Sequence, residues 1–315
     1  VGVVFVVDTG LVKTRIFDSS RGVDSLSSAP ISRSGARQRA GRAGRQSAGK
    51  CFRLYTEETF GTELADMAIP EVLRSSLAST VLALKRAGVD DVLGFDFIEP
   101  PPREALAAAL EELLLLGALN DEGGLTADGH TMSALPIEPV HARALLAARD
   151  RSCLPQMVGL LSVYTTDGAL FLHRRSLDDD DDGEGIVTHA AFASPNGDAT
   201  TAVAVLVAYF GIRNGPGGTL KAARRWCESH SLNWKALEAA AQIRAQLVAS
   251  LRRLDLSPLG AGGEEPLALT PLGVESGREL RRCLTEAFFT RAAIRQASGE
   301  YLALVSRQTV HVHPS

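Results

Sequence analysis

The sequence has 315 residues, of which 45% are hydrophobic and 22% charged, with a formal net charge of −4. This is the composition of a folded globular chain long enough for one large core or several smaller ones, and it excludes disordered and membrane-like classes. No apolar stretch approaches the roughly 20 residues that a membrane-spanning helix needs, so we predict no membrane partner.

The cysteines are widely spaced, and no pair has the CxxC spacing of a zinc or redox motif. The spacing argues against both a zinc cluster and a disulfide framework. We expect reduced thiols and an intracellular protein. These residues are Cys51, Cys153, Cys227 and Cys283.

The distribution of charge is more informative than the net charge. Residues 25–56 contain no acidic residue, whereas acidic residues concentrate at 178–182, which reads as a solvated loop. A basic window of this kind indicates a phosphate-bearing partner. Its cations are Arg33, Arg37, Arg39, Arg42, Arg45, Lys50 and Arg53.

The first part of the chain has an α/β pattern. The apolar run 2–7 predicts a buried parallel strand. Residues 11–17 and 23–29 predict a β-hairpin. Ser32 or Ser34 caps a predicted helix that runs to about Ala43. A further strand follows over 51–55.

The middle of the chain has the pattern of a winged helix. Amphipathic helices are predicted over 73–87 and 102–116. A short hairpin follows over 119–125, and Thr126 caps another short helix.

The remainder is predicted to be helical and then extended. Residues 137–256 are predicted to be almost wholly helical, and 257–273 form a Gly- and Pro-rich loop. A short helix from Arg278 precedes two strand-like runs, 301–305 and 309–312. Because two strands do not close a sheet, and because a strand begins at the first residue, we expect further chain on both sides.

Residues 38–45 read Gln-Arg-Ala-Gly-Arg-Ala-Gly-Arg and carry the strongest chemical signal. On a helix, Gln38, Arg42 and Arg45 have the spacing i, i+4 and i+7 and share one face, while Arg39 points about 100° away. Fixed planar cations on one face suit phosphate oxygens.

The same stretch contains Gly41 and Gly44, each costing about 1 kcal/mol in a helix interior relative to Ala. We therefore expect close backbone approach to another group at these positions. Residues 44–51 also nearly match a phosphate-binding loop, but they follow a helix and lead into a strand, which is the wrong order.

Residues 38–45 resemble motif VI of DEAH-box helicases of superfamily 2, in which the leading Gln is typical. The resemblance extends over essentially the whole chain. Flanking segments similar to the family are 6–13, 30–32, 49–58, 69–71, 100–102, 116–123, 226–228 and 311–315.

The resemblance implies a multi-domain, mainly α fold in four parts. Residues 1–62 would be the C-terminal part of the second RecA-like α/β domain, and 63–136 a winged helix. Residues 137–277 would form a helical ratchet bundle, and 278–315 the start of an OB-fold.

It also implies an ATP-dependent RNA helicase that couples ATP hydrolysis to RNA translocation and to unwinding or remodelling of ribonucleoproteins. In the family, the residues matching Arg42 and Arg45 contact the ATP phosphates, and that matching Gln38 helps to place the attacking water. ATP with Mg²⁺ would be held mainly by the first RecA-like domain, whose phosphate loop and Asp-Glu-Ala-His motif are not in this sequence. We therefore expect this chain alone to be inactive.

The expected partner is RNA, and a G-patch-type activator is a candidate because such proteins activate some members; the expected location is nuclear. In the family a hairpin reaches toward RNA, which makes Lys13, Arg15 and Arg21 candidate RNA contacts. The alternative is a non-catalytic nucleic-acid-binding or docking module from a truncated or pseudo-helicase gene.

A pair of tryptophans and a pair of histidines could suggest binding sites, but we interpret both pairs as structural. Trp226 and Trp234 are predicted core residues of the ratchet bundle rather than base-stacking platforms. His311 and His313 share a strand face, but with no third ligand we interpret them as part of an ordinary OB strand and predict no metal site.

Overall fold

The computed structural model describes residues 2–18, 23–166, 168–172, 191–256 and 267–311, apart from the side chains of 15, 17, 18 and 23–26. The chain divides into two compact units, residues 1–113 and 114–315. Within the described ranges, no helix is both long and apolar enough to span a membrane.

The first unit begins with two small sheets around one helix. Strand β1 (Phe5–Asp8) pairs in parallel with β4 (Lys50–Arg53). Strands β2 (Leu11–Asp18) and β3 (Val23–Pro30) form the predicted antiparallel hairpin. Helix α1 (Arg33–Ala43) connects the hairpin to β4. The parallel pairing predicted for the first strand is thereby confirmed.

The predicted burial of the first strand is wrong. Phe5 and Val7 are 66% and 63% exposed, and Asp8 is the one wholly buried residue of β1. Phe5 stacks instead on Phe52 of β4, with ring centroids 6.4 Å apart. In the described chain, β4 is the only strand that pairs with β1, and helix α1 packs against this two-stranded sheet. The exposure of Phe5 and Val7 shows that their face of the sheet is uncovered in the described chain.

The rest of the first unit contains helical segments separated by loops. A 3₁₀ turn (Glu71–Leu73) precedes α2 (Ala78–Arg86), and α3 (Arg103–Leu115) follows. The predicted helix over 73–87 is therefore shorter than expected, because the chain at its start is a separate 3₁₀ turn. Helix α3 lies within a residue of its predicted limits at both ends.

The second unit is mainly helical. Leu119 and Leu125 form an isolated antiparallel bridge, and Thr126 caps α4 (Ala127–Ala134) by accepting a hydrogen bond from the Gly129 amide at 2.9 Å, as predicted. The later helices are α5 (Pro139–Asp150), α6 (Leu154–Tyr164), α7 (Asp198–Asn214), α8 (Leu220–Ser229), α9 (Trp234–Arg253) and α10 (Val274–Phe288).

The core of this unit lies around α6, α7 and α9. Met157, Leu160 and Leu161 of α6 are fully buried, as is Tyr209 of α7. Trp226 and Trp234 pack against the cluster that contains Tyr209, which agrees with their predicted core role. Residues of α6 and α7 thus belong to the apolar core of this unit.

The C-terminal region differs from expectation in two ways. The helix predicted from Arg278 begins at Val274, because Ser276 accepts a hydrogen bond from the Gly273 amide at 2.9 Å and so caps an earlier start. Helix α10 packs against α5, so residue 278 falls inside a helix of the bundle.

The second difference is an additional strand. An antiparallel sheet contains β5 (Ala293–Arg295), β6 (Tyr301–Ala303) and β7 (Thr309–Val310) in that order. Strand β5 was not predicted, because three residues are too few to show an alternating pattern. His311 is exposed, whereas His313 and the acidic run 178–182 lie outside the described residues.

Substitution of Gly129 tests the close packing of α4. A Cβ at this buried position would lie 2.0 Å from the Ala118 carbonyl oxygen, a backbone atom that cannot rotate away. We expect Gly129→Ala to lower the free energy of unfolding by about 2 kcal/mol. Thermal unfolding measures the change.

The matched control is Gly211→Ala in α7. Gly211 is exposed and has open space around a Cβ, so its replacement should stabilise the chain by about 0.5 kcal/mol. Equal effects at the two glycines would contradict this packing.

Candidate functional site

Helix α1 has one face turned into the first unit and another turned outward. Ser32 caps it by accepting a hydrogen bond from the Gly35 amide at 3.1 Å. Ala36 and Ala43, seven residues apart on one face, are buried. Small residues on this face allow the helix to lie close to the sheet, which fixes the direction of its opposite face.

The buried carboxylate of Asp8 anchors this helix. Arg39 donates from Nη1 to Asp8 Oδ1 at 2.7 Å and from Nη2 to the Leu11 carbonyl oxygen at 2.8 Å. The Tyr55 hydroxyl donates to Asp8 Oδ2 at 2.8 Å, and the Gly10 amide donates to Oδ1 at 3.1 Å. Arg39 thus joins the helix to the end of β1.

The surroundings of Asp8 keep it ionised. Burial raises the pKa of Asp8, but the hydrogen bonds from Arg39, Tyr55 and the Gly10 amide, together with the charge of Arg39, outweigh burial and hold the pKa below its usual range. The same contact acts on Tyr55, whose pKa is raised by burial and by its hydrogen bond to Asp8.

Gly10 makes the turn after β1 possible. Its φ of +75° lies in the left-handed region, and a Cβ there would lie 2.7 Å from the Tyr55 ring. A side chain at this position would therefore displace the tyrosine from Asp8.

The outward side of α1 carries the predicted site residues. Gln38 and Arg42 are exposed on the helix, and Arg45 is exposed beyond its end. Among the described residues, none of the three side chains makes a hydrogen bond or ion pair. Two cations and an amide are therefore available to an external ligand.

The prediction that Arg45 continues the helical face is wrong. The helix ends at Ala43, and the Gly44 amide donates to the Gly41 carbonyl oxygen at 3.3 Å in a turn that closes it. Two glycines in four residues weaken the helix at this end. Arg45 lies in the segment that leads to β4, so its direction does not follow from helical geometry.

The close backbone approach that was expected at Gly41 and Gly44 occurs at a different glycine. A Cβ on Gly41 would meet nothing within 4 Å, so none of the described chain approaches it closely. The close approach is at Gly49, where a Cβ would lie 2.2 Å from the Ala43 carbonyl oxygen and 2.5 Å from that of Val4. The position of this glycine between a helix and a parallel strand is the signal that could have identified it.

The candidate RNA contacts are only partly described. Lys13 is exposed on β2, opposite Ser28 of β3. The side chain of Arg15 and all of Arg21 lie outside the described residues. These contacts remain predictions.

The arrangement on α1 fits a phosphate group. Two guanidinium groups have no partner in the described chain, and the bare backbone at Gly41 leaves room beside them. No group of three or more potential metal ligands occurs within the described ranges. The exposed guanidinium groups of this segment have the charge and planar shape that suit phosphate oxygens.

Replacement of Asp8 tests the anchor. Because its pKa is lowered in the folded chain, the carboxylate stabilises the fold above its unfolded pKa of about 3.9, and this contribution is lost as the pH falls through the folded value. We expect Asp8→Asn to lower the free energy of unfolding by about 2 kcal/mol at pH 7 and by progressively less below pH 4. Calorimetry at several pH values measures it.

The control is Asp66→Asn, since Asp66 pairs with Arg33 at 3.2 Å but is 79% exposed. Its replacement should change the stability by less than about 1 kcal/mol. A loss in Asp8→Asn that stays constant down to pH 3 would show that the carboxylate charge is not what anchors the helix.

Comparison with known proteins shows what the chain is similar to. Residues 109–137 match the winged-helix part of the helicase associated domain (HA2). The chain is 36% identical over 321 aligned residues to the pre-mRNA-splicing factor ATP-dependent RNA helicase DEAH10 of Arabidopsis thaliana, covering all of this chain and 42% of that protein.

It is also 34% identical over 315 residues to the pre-mRNA-splicing factor ATP-dependent RNA helicase prp22 of Schizosaccharomyces pombe, covering all of this chain and 25% of that protein. The chain thus spans less than half the length of these two relatives. Together with the HA2 match, the similarity along the whole of this chain fits a part of a DEAH-box helicase.

Proposed function

We propose that this chain is the part of an ATP-dependent RNA helicase that supplies the arginines acting on the phosphates of ATP. The observation that carries the proposal is the pair of exposed cations, Arg42 in helix α1 and Arg45 just beyond its end, which have no partner in the described chain. The helix is anchored through Arg39. Unpaired arginines beside an open glycine are suited to a ligand rather than to the stability of the fold.

The proposed chemistry is electrostatic. When ATP with Mg²⁺ is bound, the metal ion neutralises phosphate charge and is held mainly by a first RecA-like domain outside this chain. Arg42 and Arg45 stabilise the charge on the transferring phosphoryl group. The exposed amide of Gln38 orients the attacking water. Without the other domain, the chain alone would not turn over ATP.

Arg39 has a separate, positioning role in this proposal. It donates to Asp8 and to the Leu11 carbonyl oxygen, so its guanidinium is already engaged. Its contribution is to hold α1 against the sheet, so that the outward face meets the nucleotide in one orientation.

We further infer that RNA is the second ligand and that the protein remodels RNA or ribonucleoproteins. Two relatives are named as pre-mRNA-splicing factors, which supports a nuclear role in splicing. The exposed Lys13 on the hairpin would contact the RNA backbone. A G-patch-type activator is a further proposed partner.

The proposed domain order follows the family: the C-terminal part of the second RecA-like domain, a winged helix, a ratchet bundle and the start of an OB-fold. The HA2 match supports the winged helix. Because α10 packs against α5 of the bundle, we place the end of the ratchet bundle at the end of α10 rather than at residue 277.

The second candidate function is a non-catalytic module that binds nucleic acid or docks on it. The same exposed cations support it, because guanidinium groups bind RNA phosphates as well as nucleotide phosphates. The two candidates differ in what the arginines of α1 contribute to turnover.

Single substitutions in the longer protein separate these functions. We expect Arg45→Ala to lower the RNA-stimulated ATPase rate by roughly 10³-fold or more, because arginine fingers in related phosphoryl-transfer enzymes contribute that much. RNA affinity without nucleotide should change little. Lys at position 45 should restore little activity, because an ammonium cannot reproduce the planar fork.

Arg39→Ala is the matched control, since it removes a neighbouring cation that is already paired with Asp8. It should lower thermal stability, whereas the ATPase rate of the folded fraction should fall far less than in Arg45→Ala. Loss of RNA binding in Arg45→Ala, with normal turnover per bound RNA, would favour the docking module.

Salt dependence tests the proposed RNA contacts in the 315-residue chain. Binding to single-stranded RNA should be weak and independent of sequence, and for three phosphate contacts the affinity should fall about tenfold or more between 50 and 200 mM salt. Lys13→Ala should reduce this slope. The control is Lys85→Ala, because Lys85 Nζ already donates to the Asp90 carbonyl oxygen at 2.7 Å. An affinity insensitive to salt would argue against backbone contacts.

A further inference from the structure

Two cysteine thiols meet in the interior of the second unit. Sγ of Cys153, in the turn between α5 and α6, lies 3.7 Å from Sγ of Cys283 on α10. Both residues are fully buried, and both are reduced. The contact joins positions 130 residues apart in the sequence.

Charged groups beside this pair make the two thiols unequal. Arg151 lies two residues before Cys153 and pairs with Glu279 at 3.5 Å and with Glu286 at 2.7 Å, both on α10. The hydrogen bond from Cys153 lowers the pKa of Cys283, as does the nearby Arg151 guanidinium, although burial opposes them. The hydrogen bond and burial raise the pKa of Cys153. The Arg151 guanidinium lies against Cys283, and its positive charge favours the thiolate form of that cysteine.

We propose that Cys153 and Cys283 form an oxidation site at which a hydroperoxide produces an intrachain disulfide. The Cys283 thiolate attacks the peroxide, which gives a sulfenic acid and hydroxide. The Cys153 thiol then attacks the sulfenic sulfur, so that an S–S bond forms and water leaves. In total, two thiols and one hydrogen peroxide give one disulfide and two waters.

The turn that carries Cys153 can accommodate the bond. Closing the pair requires the sulfur atoms to approach from 3.7 Å to about 2.05 Å. Cys153 precedes the first residue of α6 and is not itself helical, with φ −121° and ψ 21°. Rotation about the side-chain torsion of Cys153 moves its sulfur while the backbone stays in place, so the bonds from the Cys153 amide to the Ala148 carbonyl oxygen and from the Met157 amide to the Cys153 carbonyl oxygen are kept.

The other two cysteines provide controls within the chain. Cys227 is also fully buried, but it packs in the apolar cluster around Tyr209, without a neighbouring thiol. Cys51 is partly exposed on β4 and is open to direct oxidation. Because the Cys153–Cys283 pair is buried, its oxidation requires local opening and should be slower than that of Cys51.

The experiment uses the 315-residue chain carrying Cys51→Ser, which prevents disulfides between molecules. The chain is treated with hydrogen peroxide, and non-reducing peptide mapping by mass spectrometry follows. We expect a peptide that joins Cys153 to Cys283, with a loss of about 2 Da, and an increase in Tm of about 5 °C. Dithiothreitol should reverse both.

Further substitutions separate this outcome from general oxidation. Cys283→Ser and Cys153→Ala should each abolish the linked peptide and the increase in Tm, and Cys227→Ser should preserve both. The proposal fails if Cys153 and Cys283 stay free while Cys51 of the unmodified chain is fully oxidised. It also fails if Cys227 is oxidised as readily as the pair. Both failure criteria are read from chains that keep Cys153, Cys227 and Cys283, so they do not depend on the folding of the variants at these positions.

Discussion

The buried charge of Asp8 is the constraint on which the proposed nucleotide site depends. A carboxylate without exposed surface is costly unless it is paired, and Arg39 supplies both the opposite charge and a second bond to the Leu11 carbonyl oxygen. Because Arg39 belongs to α1, satisfying Asp8 also fixes the rotation of that helix. The exposed positions of Gln38 and Arg42 follow from this one ion pair.

This arrangement divides the arginines of residues 38–45 into two kinds. Arg39 serves the fold, whereas Arg42 and Arg45 have no partner in the described chain. Gly41, directly before Arg42 in the sequence, has open space around a Cβ. In the second unit Arg143 has a comparable structural role, bonding Asp128 at 2.9 Å and Glu286 at 2.6 Å. Arg39 and Arg143 thus stabilise the fold through ion pairs, whereas Arg42 and Arg45 are available to a ligand.

Local sequence signals predicted much of the fold. The caps at Ser32 and Thr126 and the β2–β3 hairpin depend on residues within a few positions of one another, and all were predicted. Helical spacing also predicted that Arg39 points away from the helix face that carries Arg42. Domain limits and site roles stay predictions, because they depend on the family resemblance rather than on local chemistry.

The features that sequence did not predict depend on contacts between distant residues. The Asp8–Arg39 pair and the Cys153–Cys283 contact have no periodic signal. Burial of β1 was predicted from its apolar run, but burial depends on what covers a strand. The prediction that Arg45 shares a helix face with Gln38 and Arg42 was wrong, because the helix ends two residues before Arg45.

The most direct test of the central claim is a structure of the longer enzyme with ADP, Mg²⁺ and a planar phosphoryl mimic such as aluminium fluoride. The account predicts that the guanidinium groups of Arg42 and Arg45 lie about 3 Å from the phosphate oxygens or the mimic, while Arg39 stays on Asp8. Arg39 on the nucleotide, or Arg42 and Arg45 both turned away from it toward RNA, would contradict the account.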